Sequence, residues 1–421
     1  MPPGFPIPTL KKNWLCAQIG AREHYAVPRV LHRGGRLSAL YTDFWAGPVI
    51  RQAAGILKVK QLRSLSERFH PELAAATVHS WNARSLIWET GMRKGRNAFS
   101  NFTEIGKKFG ARVRETLKQR NEMGPDSVFF SYDTGALEPM EWCRSRGVRC
   151  ILNQMDPNRV EVETVREEEK LWPGWAIQPL EVPEIYFKRR ESEWAAADRI
   201  VVNSEFCRDA LVKQGVSPEK LAIIPLAFEP LQSPQTGGKT DVLGSPSSDR
   251  PIRVLFLGQV ILRKGIQYLM QAAKMLEDEN IQFDVVGPKG ISPAATESAP
   301  RNMKFHGRAT RNETIAWYRQ SDVFVLPTLS DGFALTQLEA MAHGLPVVTT
   351  PCCGAVVADG VDGFIVPARD SHALAKTFRR YLVEPDLLDG QRSAASEKTK
   401  QFTLDRLAAN LESVEKALLL K

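Results

Sequence analysis

Residues 323–349 read VFVLPTLSDGFALTQLEAMAHGLPVVT. Val323 to Leu326 is a short apolar run of strand type, and Pro327 closes it because proline donates nothing to a ladder. A loop leads into a helix expected from Thr336 to His343. Pro346 to Thr349 then returns as a strand. Strand, helix and strand in this order make a βαβ unit, whose two strands lie parallel in one sheet.

The same alternation extends outward in both directions. Upstream, strands are expected at Arg253 to Leu257 and Phe283 to Val286, with a helix from Gly265 to Leu276. Downstream lies Phe364 to Val366, then an amphipathic tail from Leu404 to Leu420. The N-terminal half repeats the pattern independently, with strands at Trp14 to Gln18, Leu37 to Thr42, Ser127 to Ser131, Arg149 to Asn153, Arg199 to Asn203 and Ile223 to Pro225. Ser204 is placed to cap the helix that follows. Between the halves, 229–251 (EPLQSPQTGGKTDVLGSPSSDRP) has no periodicity and reads as a linker. The expected class is α/β with two Rossmann-like domains facing across a cleft, 1–228 and 252–401. Such sheets hold ligands beyond the carboxyl ends of their strands.

Composition excludes several classes. At 421 residues the chain is long enough for two domains, and 43% apolar with 25% charged residues is the balance of a globular protein. No apolar run approaches the roughly 18 residues of a membrane span. Met1 to Pro8 holds four prolines and does not read as a signal peptide. Six irregularly spaced cysteines fit a reduced, cytoplasmic interior. Charge is uneven: residues 1–150 carry 24 Lys and Arg against 12 Asp and Glu, while residues 201–421 carry 25 of each. The basic half is expected to meet an anionic partner, by preference the inner face of a membrane holding a lipid-linked acceptor. One basic stretch, Phe99 to Arg120 with Arg93, Lys94 and Arg96 before it, has Phe102, Ile105, Phe109 and Val113 at helical spacing. Such a helix either lies in a headgroup plane or packs its stripe on the first sheet. The arginines are dispersed and no nucleic-acid module is recognisable, so no nucleic acid is expected.

Two acids in the opening segment need a reason. Asp331 lies on the loop, and Glu339 follows eight residues later in the first helical turn. Gly332 allows close approach to the backbone, and loop amides with a helix N-terminus suit a diphosphate. An acid in that turn repels an anion, but it accepts hydrogen bonds from the paired hydroxyls of a ribose. An ordinary helix N-terminus, where acids are common, is the plain alternative.

This segment resembles the donor-site signature of the retaining glycosyltransferase family 4, the group 1 glycosyltransferases. Gly332, Phe333, Leu335, Glu339, Ala340, Met341, Ala342, Gly344, Pro346 and Val347 match it. Asp331 stands where the signature has glutamate, and Ala334 where it has glycine. Val254 to Gly265 is similar to the family's strand–loop–Lys-Gly element, with Lys264 matching and Gln259 in place of the usual arginine; Arg263 stands near enough to replace that charge. Val285 to Pro288 and Phe305 to Arg308 look like the edges of the base pocket, and Ala358 to Pro367 like a structural hairpin. Gly20 sits where the family often has a glycine pair touching the donor phosphate. The mid-domain histidine that many members carry is missing from Leu152 to Pro157, where Gln154 or Asp156 is left to face the cleft.

The resemblance implies the type B glycosyltransferase fold (GT-B), with helix 402–421 crossing back onto the first domain. It implies transfer of a hexose-type sugar from a nucleotide-diphosphate-sugar to an acceptor hydroxyl with retention, without cofactor. It assigns Asp331, Lys264 and Arg263 to catalysis, and Gly20, Glu339, Gly332, Phe333, Ala334, Leu335 and Thr336 to donor binding. No D-x-D triplet occurs, so a metal-bridged diphosphate is not indicated. Three alternatives share some of these features. A dehydrogenase fits Gly20 and Asp43, 23 residues apart, but G-x-G-x-x-G is absent. A nucleotide-sugar epimerase or a non-catalytic nucleotide-sugar-binding protein would bind the same donor; turnover without acceptor, or donor binding without turnover, separates them, and the transferase stands ahead because Lys264 and Glu339 are both intact in context.

Overall fold

A computed structural model describes residues 13–57, 65–85, 97–120, 123–124, 126–230 and 250–419. Most of the expected linker lies outside these residues, as do Arg93, Lys94 and Arg96. Two all-parallel sheets organise the rest. The first contains β1 (Trp14–Gln18), β2 (Leu37–Thr42), β3 (Val78–Ser80), β4 (Val128–Tyr132), β5 (Arg149–Gln154), β6 (Arg199–Val202) and β7 (Leu221–Ile223), in the order β3-β2-β1-β4-β5-β6-β7. The second contains β8 (Ile252–Leu257), β9 (Ile281–Val286), β10 (Met303–Gly307), β11 (Val323–Leu326), β12 (Val347–Thr349) and β13 (Gly363–Ile365), in the order β10-β9-β8-β11-β12-β13. Helices cover the sheets, so central strands such as WLCAQ and VFVL are buried on both faces. Strand order reverses between β1 and β4 in one sheet and between β8 and β11 in the other. Those reversals open the crevices.

Local rules explain most boundaries. Ser204 caps its helix by accepting the Cys207 amide at 3.2 Å, and Asp370 caps helix Ser371–Val383 through the Ala373 amide at 2.8 Å. Two expectations shift. The strand placed at Ile223 to Pro225 ends earlier, because Pro225 has no N–H for the ladder; the last bond runs from the Ile224 amide to the Val202 carbonyl. Ala358 to Pro367 is not a hairpin. The Asp362 carboxylate takes the Ala358 amide at 2.7 Å, and the turn delivers β13 parallel to β12.

Helix Ala98–Arg120 settles its apolar stripe inward. Phe109, Val113 and Leu117 are fully buried against Phe129 and the first sheet, while Phe102 stays 55% exposed. Gly106 and Gly110 let the helix sit this low. A Cβ on Gly106 would fall 2.0 Å from the Thr134 carbonyl oxygen, and one on Gly110 would fall 2.2 Å from Glu138 Oε2. Packing on the sheet, rather than insertion into a headgroup plane, therefore takes up most of this stripe.

Two connections tie the halves together. Helix Leu404–Leu419 returns to the first domain, where Leu407, Leu411, Val414 and Leu418 pack with Trp14, Val27 and Leu31. Glu415 accepts Trp14 Nε1 at 3.0 Å and Asn13 Nδ2 at 2.9 Å and pairs with Arg36. On the far side, helix Arg159–Leu171 carries the fully buried Glu168. It accepts Gln267 Nε2 at 2.8 Å, the Tyr268 hydroxyl at 2.9 Å and Arg369 Nε at 2.6 Å, all from the second domain. All six cysteines are free thiols.

Candidate active site

The loops after β8 and β11 meet at the second sheet's switch point. Gly265 makes the meeting possible: its φ is +73°, and a Cβ there would lie 1.8 Å from the Pro327 carbonyl oxygen. The Leu329 amide then bonds the Arg263 carbonyl at 2.8 Å. Lys264 and Asp331 are thereby brought into a direct ion pair, both side chains about 85% shielded at 14% and 15% exposure. Burial and the neighbouring Arg263 guanidinium push the Lys264 ammonium down to about 7, with Glu161 among the groups that pull the other way.

Beside this pair runs a row of donors. The Asp331 amide is taken by the Cys352 carbonyl at 2.9 Å. Those of Gly332 to Thr336 make no hydrogen bond among the described residues, and they lead into the short helix Thr336–Ala342. Ala334 sits at φ +63°, a left-handed conformation that suits the glycine of the signature better than alanine. Glu339, one turn into the helix, accepts the Tyr318 hydroxyl at 2.9 Å. It lines a cavity of about 430 Å³ shared with Leu335, Arg311, His24 and Glu23. Farther along the second sheet, Val286, His306, Gly307 and Arg308 border another cavity of about 380 Å³. Both sequence stretches expected at the base pocket thus meet around one space. Its His306 accepts or donates at Asp284 Oδ1, 2.8 Å away, and packs on Trp317.

Other expected site residues are placed differently. Arg263 points away from the loop amides, to Glu161 at 3.1 Å and the Ser330 carbonyl at 2.7 Å. Gly332 is approached by protein: a Cβ there would lie 2.1 Å from the Met155 carbonyl oxygen of the first domain. Phe333 is 2% exposed and its ring packs on Phe402, so the side chain serves the core. Gly20 spends its amide on Asp43 Oδ1 at 2.8 Å, with φ +79° explaining the glycine. Asp43 also pairs with Arg68, which accounts for that acid without any dinucleotide.

The first domain has its own cavity, about 450 Å³, at the β1/β4 switch point. Asp156 lines it, whereas Gln154 is buried in bonds to Trp194 and the Asp156 carbonyl. Asp133, which the sequence reading passed over, lines it as well. An acid directly after a buried strand was the available signal, the same one that singled out Asp43. Between the two cavities runs the turn after β1, where Glu23, His24 and Tyr25 are successively left-handed (φ 50°, 49° and 61°). Three such non-glycine residues in a row are costly. Burial pushes the Glu23 carboxyl up to about 7, and burial with Arg311 and Arg29 nearby pushes His24 down. Among the described residues, no group of three or more His, Cys, Asp or Glu is gathered as metal ligands.

Two parallel sheets with a returning C-terminal helix define the GT-B architecture, and the solved structures agree. The chain aligns over 97% of its length with 99% of a sucrose-phosphate synthase from Thermosynechococcus elongatus, at TM-score 0.64 and 16% identity. It aligns over 96% with all of Anabaena Alr3699/HepE solved with UDP and glucose, at TM-score 0.59 and 12% identity. In sequence, residues 251–384 match the family described as "Glycosyl transferases group 1". A D-inositol 3-phosphate glycosyltransferase from Streptomyces bingchenggensis is 30% identical over 236 residues, 51% of this chain and 51% of its own length. The chain spans about half the length of the curated relatives it matches.

Proposed function

We propose that this protein is a glycosyltransferase, moving a hexose-type sugar from a nucleotide-diphosphate-sugar to an acceptor hydroxyl with retention of configuration. The observation that carries the reading is the Lys264–Asp331 pair set beside five successive unbonded amides. An incoming diphosphate meets N–H donors that have no protein partner and a lysine whose counter-ion it can replace. Asp331, released, is left to accept sugar hydroxyls. Charge on the departing diphosphate is stabilised by the loop amides and by Lys264 once it has exchanged Asp331 for the phosphate. Glu339 is positioned for a ribose, in the cavity it shares with His24. The UDP held by the HepE structure supports a nucleotide donor. In this reading no metal or cofactor takes part, and the acceptor attacks on the face the diphosphate leaves.

The first domain supplies the acceptor side, and its excess of basic residues favours peripheral contact with an anionic membrane carrying a lipid-linked acceptor. A panel of nucleotide-sugars read by thermal shift tests the donor half, because a ligand bound only by the folded state raises Tm. One donor should stand out, and the same donor should give transfer to an acceptor extract. A flat panel would remove the transferase reading.

A further inference from the structure

The first sheet has a charged edge away from the cleft. The crevices of parallel sheets lie beyond the carboxyl ends of the strands, and this edge is the one where strands begin. Arg149 opens β5, Arg199 opens β6, Lys220 immediately precedes β7, and Arg144 stands in the last turn of helix Leu137–Ser145. Together they line a cavity of about 350 Å³, with Asp198, Glu219 and Leu418 on the same wall.

The four cations are not met by acids. Arg144 Nη1 donates to the Ala195 carbonyl at 2.8 Å, Lys220 Nζ to the Trp194 carbonyl at 3.0 Å, and Arg199 Nη1 to the Glu219 carbonyl. Arg149 makes no side-chain bond, and none of the four is in an ion pair among the described residues. Asp198 turns Oδ2 to the Cys150 amide, 2.7 Å away. Ala195 and Trp194 lie in the last turn of helix Glu184–Ala196, and such a helix end carries about half a negative charge. That end, with Asp198 and Glu219, leaves the wall a surplus of about one and a half positive charges. The crowding is felt locally: burial and Arg144 push the Lys220 ammonium down, against the pull of Asp198.

We propose that this cavity binds a phosphate group, carried either by a soluble ester or by a lipid headgroup. A phosphate monoester brings about 1.5 to 2 negative charges at neutral pH and three strong acceptor oxygens. Those are what the wall lacks. Each guanidinium has five N–H donors in a planar fork, and the carbonyl bonds of Arg144 and Arg199 leave most of them free. The site lies at the opposite edge of the sheet from the cleft, so its ligand is held apart from any transfer chemistry, and the proposal stands independently of the transferase reading. Leu418 belongs to the returning helix Leu404–Leu419. A bound phosphate therefore sits where that helix meets the first domain.

The test titrates the full chain with inorganic phosphate and with glycerol 3-phosphate by calorimetry. Arg149→Gln and Arg144→Gln should each weaken binding about tenfold, the loss of one charge-assisted contact. Arg149 is exposed and holds nothing else in place, so its variant keeps the fold. Lys107→Gln removes an exposed charge elsewhere on the same domain and should leave the affinity unchanged. Sedimentation with phosphatidylcholine vesicles, plain or containing phosphatidic acid, tells the two sources apart. Sedimentation that needs phosphatidic acid and is lost in Arg149→Gln assigns a lipid headgroup. Sedimentation equal in wild type and Arg149→Gln, with glycerol 3-phosphate binding weakened in the variant, assigns a soluble ester. The proposal is overturned if neither the soluble probes nor phosphatidic acid bind, or if Lys107→Gln weakens binding as much as Arg149→Gln. It is overturned equally by binding that is lost in Lys264→Ala and kept in Arg149→Gln, which would place the phosphate at the donor loop.

Discussion

Lys264 and Glu339 come to the proposed donor site from different elements, Lys264 paired with Asp331 and Glu339 lining the second cavity. Lys264→Ala and Glu339→Ala should each lower donor affinity or turnover about tenfold or more, the loss of one charge-assisted contact. Donor kinetics equal to wild type in both variants would move the donor site elsewhere. A second residue-scale expectation concerns pH. Burial lifts the Glu193 carboxyl to about 7, while Arg189 and the amides of Thr134 and Ala136 pull the other way. The folded chain keeps a proton that the unfolded chain releases near 4.5. Stability from this group therefore falls as pH rises from about 4.5 to about 7, then stays at the lower level. Glu193→Gln should shrink the difference in denaturant midpoint between pH 5 and pH 8; an unchanged difference would assign the slope to other groups. Lys264, Asp331 and Glu339 were legible as candidates because the proposed phosphate and ribose contacts call for particular charges at fixed spacing. Asp133 was not, since its meaning depends on Arg190, 57 positions away, and on a cavity that exists only in three dimensions.

At the scale of elements, the strands were legible because parallel sheets buried on both faces leave short apolar runs. Helix Ala98–Arg120 was only half legible. Its periodicity gave the apolar stripe, but the partner of that stripe depends on Gly106 and Gly110, whose role is to be absent as side chains. Gly106→Ala should cost about 1–3 kcal/mol, as overpacking does, because the obstacle is backbone and cannot swing aside. Gly47→Ala, with nothing within 4 Å of the new methyl, is the matched control. Equal denaturant midpoints for the two variants would mean that the helix sits higher than described. The partner of Arg263 was illegible for a related reason. The arginine's charge was visible in the sequence, but Glu161, which holds it, comes from the other domain.

For the whole molecule, the unevenness of charge survives the burial of the Phe109 and Val113 stripe. Sedimentation with anionic vesicles at physiological salt should carry the wild type down. Neutralising Lys107, Lys108, Arg112 and Arg114 together should leave it in the supernatant, with each basic residue near the surface contributing about 1 kcal/mol. Among the described residues no helix is long and apolar enough to cross a membrane. A wild type that stays in solution would favour a soluble acceptor. The returning helix Leu404–Leu419 has a consequence for how the protein is made. Trp14, Val27 and Leu31 emerge from the ribosome before β7, yet Leu411, Val414 and Leu418, which complete their core, emerge well after it. At ordinary rates of roughly 5–20 residues per second, that core waits roughly 10–40 s after β7 for its last helix. The second domain, whose sheet is continuous in the chain, is free to close first, so the half synthesised earlier is the half finished last.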